Sequence, residues 1–230
     1  MTDPQDTPLD ARAYDTWFEH GWGAYAFEIE RATLRDVLGD LDGLRVIDVG
    51  CGTGRFTADL EEAGAHLVAI DRDEAMLELA RQRVGGTIVH GDATALPLAD
   101  DAVDVTVAMT LLEFADAAED IVSELVRVTR PGGRVAIGAL NPRSPWGLAR
   151  HRELRRPPWT AACLRTPPEL RALLAAYGPV STRAALYAPG AMPGLRRIGP
   201  LIERIGQPFP DLGAFQIALL DPVPETSPRR

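Results

Sequence analysis

The sequence predicts a doubly wound α/β domain, in which a mostly parallel sheet is covered by helices on both faces. Three observations predict this fold. Short apolar runs alternate with amphipathic stretches from residue 44 onward, a glycine-rich turn follows the first run, and a Pro-Gly-Gly motif precedes the fifth. Near-continuous apolar strands are typical of parallel sheets that are buried on both faces. The length of 230 residues suits one domain of this kind.

The elements of the sheet follow one another along the chain. Apolar runs predict strands at 46–49, 67–70, 87–89, 103–109 and 134–140. Apolar residues at helical spacing predict helices over 74–83 and 117–130, and Pro131-Gly132-Gly133 is expected to end the second of them.

The last part of the chain predicts one more helix and two more strands. Thr166, two prolines and Glu169 predict the N-cap of a helix that closes at Gly178. Strands are expected at 180–186 and 214–220, separated by a Gly/Pro-rich excursion. The tail from 222 to 230 holds three prolines and is expected to be flexible.

Charge is distributed unevenly over the chain, whose net charge is −9. Residues 1–140 hold 27 acidic and 11 basic side chains, whereas residues 141–230 hold 6 and 13. Every basic residue is Arg, which reflects either a compositional bias of the genome or an Arg-rich part that faces an anionic substrate or partner. Acidic chains bind nucleic acid poorly unless basic residues share one face, so nucleic acid is not the expected partner.

Composition also limits location and cofactors. The hydrophobic segments are short, the N-terminus shows no secretory signal, and the only cysteines are Cys51 and Cys163. Metal-site spacing of Cys or His is absent. We therefore expect a cytoplasmic protein, a monomer or homodimer, with no metal and no membrane partner.

The glycine turn after the first strand is the centre of the functional argument. Glycines at positions 50, 52 and 54 let the backbone pass close to a ligand. The dinucleotide-binding pattern G-x-G-x-x-G would need a glycine where Arg55 stands. Asp48, just before the turn, would repel a pyrophosphate and favours a positively charged ligand, such as a sulfonium that also carries an amino group.

Two more acidic residues follow neighbouring strands. Asp71 ends the second strand, where a carboxylate can accept hydrogen bonds from both hydroxyls of a ribose. Asp92 follows the third strand, where it can accept a hydrogen bond from an adenine amino group. Ligands of open α/β sheets bind at this carboxyl edge.

These motifs together resemble the class I S-adenosylmethionine (SAM)-dependent methyltransferases, specifically the type 11 family. The motifs are Asp48-Val49-Gly50-Cys51-Gly52-Thr53-Gly54, Asp71-Arg72-Asp73-Glu74-Ala75-Met76-Leu77, Gly91-Asp92-Ala93, Leu96-Pro97-Leu98 with Asp100-Asp101-Ala102-Val103-Asp104, and Val128-Thr129-Arg130-Pro131-Gly132-Gly133. They span residues 46–140 in the family's order and spacing. The resemblance implies a Rossmann-like sheet of seven strands whose last strand is antiparallel.

The resemblance also implies SAM as methyl donor and assigns residues to it. Gly50 and Gly52 lie along the methionyl part, Asp71 on the ribose, and Asp92 with Ala93 on the adenine. Arg72 stands where an apolar residue is common, and its stem can lie along the adenine. The remaining donor-site candidates are Asp48, Cys51, Gly54, Met76, Met109, Tyr14 and Tyr25.

The N-terminal aromatic residues resemble a segment that many type 11 members fold over the donor pocket. Tyr14 and Tyr25 either contact the donor or substrate or pack a capping helix. Trp17, Trp22 and Phe27 are expected in the core.

No catalytic residue follows from the sequence. Methyl transfer is an in-line displacement that mainly needs alignment, so a general base is optional. Candidate bases are His20, Glu113 and His151, each of which has an alternative structural role. The segment after the fourth strand lacks the Asn/Asp-Pro-Pro-aromatic pattern of enzymes that methylate exocyclic amines of bases.

We therefore predict an enzyme that methylates a small-molecule acceptor and releases S-adenosylhomocysteine. The alternatives are an RNA or protein methyltransferase that uses residues 150–156, and a non-catalytic SAM-binding protein. The expected organisation is a helical cap at 1–43, the SAM-binding core at 44–140, a segment with lid, last helix and two strands at 141–221, and the tail at 222–230. Within the third part, residues 141–156 are expected to cover the acceptor, with Trp146 as an apolar wall.

Overall fold

A computed structural model describes residues 10–150, 162–192 and 194–225. Seven strands form one sheet, and in chain order they are β1 (Arg45–Val49), β2 (His66–Asp71), β3 (Thr87–His90), β4 (Val103–Met109), β5 (Thr129–Leu140), β6 (Val180–Ala185) and β7 (Phe215–Leu220). Their order across the sheet is β3-β2-β1-β4-β5-β7-β6. Strand β7 pairs antiparallel with both neighbours, whereas the pairs from β3 to β5 are parallel. The predicted seven-stranded sheet is confirmed.

Helices cover both faces of this sheet. The eight α-helices in the described residues are α1 (Ala11–Trp17), α2 (Gly21–Leu38), α3 (Arg55–Glu62), α4 (Glu74–Arg83), α5 (Ala118–Val128), α6 (Pro145–Arg150), α7 (Pro167–Ala175) and α8 (Leu195–Gly206). One apolar cluster joins the sheet to α2 and α3, and a second joins its other face to α5 and α7. Because side chains alternate along a strand, Val46 enters the first cluster and Ile47 the second. None of the described helices is long and apolar enough to cross a membrane.

The chain reverses its direction of winding between β1 and β4. From β1 it proceeds to β2 and β3 on one side, and β4 then returns to the other side of β1. Such a reversal opens a crevice at the carboxyl ends of the two strands. The glycine turn leaves β1 at this crevice.

The capping motif of α7 agrees with its prediction. The backbone N–H and the hydroxyl of Thr166 both donate to the Glu169 carboxylate, at 2.8 and 2.6 Å, and two prolines occupy the first turn. The helix ends at Ala175, slightly before Gly178.

The Pro-Gly-Gly motif does not end helix α5, which corrects the prediction. The helix ends at Val128, and Thr129 already pairs with Val103 in the sheet. The next pair joins Val105 to Arg134, so the register shifts between the two pairs. The Pro-Gly-Gly motif therefore forms a bulge inside β5. Thr129 is β-branched and extended, and this conformation stops the helix before the proline.

Two expectations at the ends of the chain also need correction. Trp17 is 48% exposed, although it was expected in the core, because Tyr14 and Phe18 occupy the inward side of α1. Trp22 is buried as expected, and Phe27 is partly buried. The tail does not become free at residue 222, since Val223 is buried and exchanges backbone hydrogen bonds with Gly132 and Gly133. Residues 226–230 lie outside the described part.

The excursion between the last two strands is largely helical. Within the predicted Gly/Pro-rich excursion, residues 195–206 form the twelve-residue helix α8, followed by a short 3-10 turn at Pro210–Leu212. Its glycines face packed aromatic rings, and the consequence of that arrangement is developed below.

Candidate functional site

The glycine turn begins where β1 ends and leads into α3. Gly50, Gly52 and Gly54 have φ angles of 72°, 54° and 76°, in the left-handed region that side chains disfavour. The N–H groups of Gly50 and Cys51 both donate to the Ile70 carbonyl, at 2.7 and 3.1 Å, which fixes the turn against β2. A Cβ atom at position 52 would meet only the Tyr14 ring, at 4.0 Å. Position 52 therefore faces space that a ligand can enter.

Asp71 at the end of β2 holds this turn from the side. Its Oδ2 accepts a hydrogen bond from the Gly52 N–H at 2.8 Å, and its Oδ1 accepts one from the Asp73 N–H at 2.9 Å. A carboxylate offers about four acceptor positions, so each oxygen can still accept one more hydrogen bond. Asp71 both shapes the turn and offers acceptors to a diol beside it.

Asp48 lies buried beneath the same turn. Its Oδ2 accepts a 2.6 Å hydrogen bond from the Thr57 hydroxyl, whereas its Oδ1 is buried without a partner. Burial raises the pKa of Asp48 to about 6, despite the Thr57 hydrogen bond, and the nearby Asp71 adds to the increase. A positively charged ligand group close to the turn would relieve this unfavourable burial of charge.

The other predicted donor-site residues divide into an exposed and a buried set. Arg72 and Asp92 are exposed near the ends of β2 and β3, and hydrogen bonding to Thr94 lowers the pKa of Asp92. Ala93 is partly buried. The buried set comprises Cys51, Met76 and Met109.

Helix α1 is fixed to the glycine turn by an ionic cluster that the sequence analysis missed. The Asp15 carboxylate accepts hydrogen bonds from the Thr53 hydroxyl at 2.7 Å, from Arg55 at 2.7 Å and from Arg83 at 2.9 Å. Burial acts to raise the pKa of Asp15, but these hydrogen bonds lower it to about 2. The cluster holds the neighbouring Tyr14 over Gly52. No spacing rule links partners that are 38 to 68 residues apart.

The two tyrosines considered for the donor site have different surroundings. Tyr14 lies beside the turn and makes a side-chain hydrogen bond with Thr110, while burial and the carboxyls of Glu30 and Glu113 raise its pKa. Tyr25 instead donates its hydroxyl hydrogen bond to Glu203 of α8, at 3.1 Å. The structure thus brings only Tyr14 to the glycine turn.

A group of polar residues, two of them buried glutamates, lies next to Tyr14, beyond the end of β4. Thr110 has a φ of 51°, which is strained for a β-branched residue, and such strain is concentrated at functional sites. The Glu113 Oε1 accepts a 2.7 Å hydrogen bond from the Leu140 N–H, and its Oε2 is buried without a partner. Glu30 of α2 is also buried. Sequence reasoning found Glu113 but not Glu30, which sits on an otherwise apolar helix face.

Burial raises the pKa of both glutamates. The pKa of Glu30 rises to about 8, through burial and then the charge of Glu113. Burial raises the pKa of Glu113 to about 7, although hydrogen bonds to backbone N–H groups and the charge of Arg165 oppose the increase. Both groups are protonated more readily in the folded chain than in the unfolded chain.

This excess proton binding predicts that stability falls as the pH rises. A raised carboxyl pKa contributes stability below its unfolded value, and that contribution is lost as the pH increases through the folded value. Between about pH 6 and 9, the free energy of unfolding should fall by about 1–3 kcal/mol, and Glu30→Gln should remove much of this fall. Urea denaturation at a series of pH values measures it. Glu28→Gln, on the exposed side of α2, is the matched control, and equal slopes in both variants would contradict the prediction.

Of the other two candidate bases, only His20 lies within the described residues. His20 is exposed and precedes α2 without a capping hydrogen bond from its side chain. His151 and residues 151–156 of the expected cover lie outside the described residues. Within residues 141–150, Trp146 is buried in the core and the Asn141 amide donates to the carbonyls of Asp211 and Gly213. Residues 141–150, the described part of this segment, are thus held against the rest of the fold.

The fold is that of an α/β protein in which a glycine turn lies beside acidic residues near the ends of the first two strands. Residues 47–137 match the model of the family described as "Methyltransferase domain". This part of the chain is a methyltransferase domain, and the resemblance noted in the sequence is confirmed.

Two of the relatives that the chain matches are named as methyltransferases. A demethylmenaquinone methyltransferase of Clavibacter sepedonicus is 42% identical over 111 residues, which cover 46% of this chain and 44% of that protein. A malonyl-[acyl-carrier protein] O-methyltransferase of Serratia marcescens is 32% identical over 146 residues, covering 61% and 57%. The chain spans about half the length of these two relatives.

Solved structures show the same fold. A SAM-dependent methyltransferase of Thermotoga maritima, described as a possible histamine N-methyltransferase, superposes with a TM-score of 0.73 at 23% identity and covers 90% of this chain and 93% of that one. A phosphoethanolamine N-methyltransferase of Haemonchus contortus, solved with S-adenosylhomocysteine, gives a TM-score of 0.68 at 15% identity and covers 97% and 61%. At these identities the likeness concerns the fold alone.

Proposed function

We propose that the protein binds SAM at the glycine turn and transfers its methyl group to a small organic acceptor, releasing S-adenosylhomocysteine. One observation carries this proposal. Three left-handed glycines lie at the carboxyl edge of the sheet, and Asp71, which holds Gly52, keeps acceptor positions for a diol. The match of residues 47–137 to a methyltransferase domain supports the same donor.

The residues around the turn fit the chemical groups of this donor. Asp71 is placed to accept hydrogen bonds from ribose hydroxyls, and the unpartnered Oδ1 of Asp48 favours a nearby positive charge. Arg72, Asp92 and Ala93 follow β2 and β3, on the side where we place the adenine. When bound, SAM supplies a methyl group on a sulfonium, which an acceptor nucleophile can displace.

On the acceptor side, the chain contributes position and shielding from water. We place the acceptor near Tyr14, Thr110 and the buried Glu30 and Glu113. A negatively charged polymer is disfavoured there, because none of these four residues is basic and a phosphate would find no cationic partner among them. Trp146 then acts as a fixed apolar wall rather than a mobile cover. We assign no general base, and the methyl transfer needs mainly alignment.

The domain organisation is part of this proposal. Residues 1–43 cap the donor site, and the Asp15 cluster that ties α1 to the turn supports this role. Residues 44–140 form the donor-binding core, and residues 141–221 complete the sheet and the acceptor side.

Calorimetry tests the donor first, and a methyl-transfer assay then tests the acceptor. We expect S-adenosylhomocysteine to bind and NADH not to bind, because the carboxyl of Asp48 beneath the turn would repel a pyrophosphate. Radiolabelled SAM should then transfer its methyl group to a member of a panel of small hydroxyl, thiol and amine acceptors. Binding of NADH in place of S-adenosylhomocysteine would overturn the proposal.

Two other functions are separated by the same experiments. Transfer to bulk RNA or to protein, but not to small acceptors, would identify a polymer-directed enzyme. Binding of S-adenosylhomocysteine without transfer to any of these acceptors would favour a SAM-binding protein that does not catalyse.

A further inference from the structure

Helix α8 packs Leu195, Gly199 and Ile202 against the protein but leaves other large apolar residues exposed to solvent. A Cβ atom at Gly199 would lie 2.6 Å from the Tyr25 ring, and one at Gly206 would lie 2.1 Å from the Tyr187 ring. These glycines therefore allow α8 to pack closely on the two aromatic rings. An ordinary surface helix turns its large apolar residues inward, so the exposure of Leu201 and Ile205 requires another explanation.

The inward side of α8 is fixed by one carboxylate. Glu203 accepts hydrogen bonds from the Tyr25 hydroxyl at 3.1 Å and from the N–H groups of Leu186 and Tyr187 at 3.0 and 3.1 Å. Three donors from two other segments define which side of the helix faces the core. The orientation of the outer side follows from this anchor.

The outer side carries a continuous row of large apolar residues. Leu201, Ile205 and Phe209 are 58%, 62% and 58% exposed, and Ile198 and Leu212 extend the row at its two ends. Intervals of three and four residues place them along one side of the helix and the turn after it. We call these five residues the apolar stripe.

The charges exposed on α8 are positive. Arg196, Arg197 and Arg204 are exposed, and the only acid of the helix, Glu203, points inward. Asp211 in the following turn is the one clearly exposed carboxylate over residues 195–212. A twofold contact with a second copy would bring these arginines together, which disfavours self-association through the stripe. A surface that complements α8 is therefore apolar where it meets the stripe and anionic where it meets the arginines.

We propose that α8 docks the protein on an anionic phospholipid bilayer, lying parallel to its surface. The apolar stripe enters the boundary between headgroups and acyl chains, and Arg197 and Arg204, which border the stripe, lie against the lipid phosphates. A helix with one apolar side and a basic polar side is suited to this position. The sequence analysis expected no membrane partner because it found no spanning segment, but a helix on the surface needs none. This inference does not depend on the proposed function.

Flotation of the purified chain with lipid vesicles tests the docking. Vesicles containing phosphatidylglycerol and phosphatidylcholine should bind the protein at least roughly tenfold more strongly than vesicles of phosphatidylcholine alone. The double variant Leu201→Ser/Ile205→Ser should lose about tenfold or more of this binding. Arg197→Glu/Arg204→Glu should reduce it similarly and remove the preference for the anionic lipid.

Matched controls distinguish binding through the apolar stripe from nonspecific adsorption to vesicles. Leu148→Ser removes a side chain that is 65% exposed on α6, and Arg12→Glu reverses an exposed charge on α1. Both controls should bind vesicles as the parent chain does. Circular dichroism verifies that every variant is folded.

Three results would overturn the proposal. The parent chain fails to bind anionic vesicles, the stripe variants bind as well as the parent, or the controls lose as much binding as the stripe variants do. Light scattering adds a fourth: a parent dimer that becomes monomeric in Leu201→Ser/Ile205→Ser, without vesicle binding, would assign the stripe to a second copy. If the stripe instead binds a different protein, the purified chain should fail to bind vesicles.

Discussion

Gly52→Val is expected to abolish binding of S-adenosylhomocysteine while leaving the helical content unchanged. The new side chain would project into the space between the turn and the Tyr14 ring, where we place the methionyl part of the donor. Valine at a φ of 54° is also strained, since a β-branched residue strongly disfavours the left-handed region. We expect a loss of at least about 100-fold in affinity, corresponding to about 3 kcal/mol. Isothermal titration calorimetry measures the affinity directly.

A second glycine separates the steric effect from the strain. Gly43 has a φ of 70° in the turn before β1, at the opposite edge of the sheet, and a Cβ atom there would meet nothing within 4 Å. Gly43→Val therefore introduces comparable strain without reaching the site. We expect it to lower thermal stability but to retain the parent affinity. Normal affinity in Gly52→Val, or equal losses in both variants, would show that position 52 does not face the ligand.

The parts of the fold that the sequence predicted depend on local patterns. Val46, Ile47 and Val49 form an apolar run before a glycine turn, and these neighbours alone specify a buried strand that ends at a tight turn. Thr166 and Glu169 likewise specify a helix start through contacts within one turn. The acid positions 48, 71 and 92 could be assigned because strand ends recur at regular intervals in an α/β sheet.

Features that depend on distant packing could not be predicted in this way. Asp15 finds Arg55 and Arg83 only after the fold has brought α1 to the turn. The sequence predicted only a Gly/Pro-rich excursion where α8 lies, because glycine lowers helix propensity, but Tyr25 and Tyr187 leave space for no other residue. Tertiary packing overrode local propensity at both places.

Asp71→Ala is expected to weaken S-adenosylhomocysteine binding by about 1.5–3 kcal/mol, or about 10- to 150-fold. The carboxylate would lose its hydrogen bonds to ligand hydroxyls, and these bonds are strong because the acceptor is charged. The neighbouring Asp73 provides a matched control. Its Oδ1 accepts hydrogen bonds from the Ala75 and Met76 N–H groups at the start of α4, so Asp73→Ala removes an equal charge but only a helix cap. We expect Asp73→Ala to destabilise the chain by about 1 kcal/mol and to change the affinity less than twofold.

Asp71 also accepts the hydrogen bond from the Gly52 N–H, so the loss in Asp71→Ala combines a direct contribution and one through the turn. A ligand that lacks the hydroxyls separates the two. With 2′,3′-dideoxy-S-adenosylhomocysteine, the parent chain should already have lost the direct contribution, and Asp71→Ala should then cost much less than it does with the complete ligand. The difference between the two costs is the coupling energy between Asp71 and the ribose hydroxyls, which we expect to be at least about 1 kcal/mol. Equal costs with both ligands would mean that Asp71 acts only by shaping the turn, and the ribose would have to be placed elsewhere.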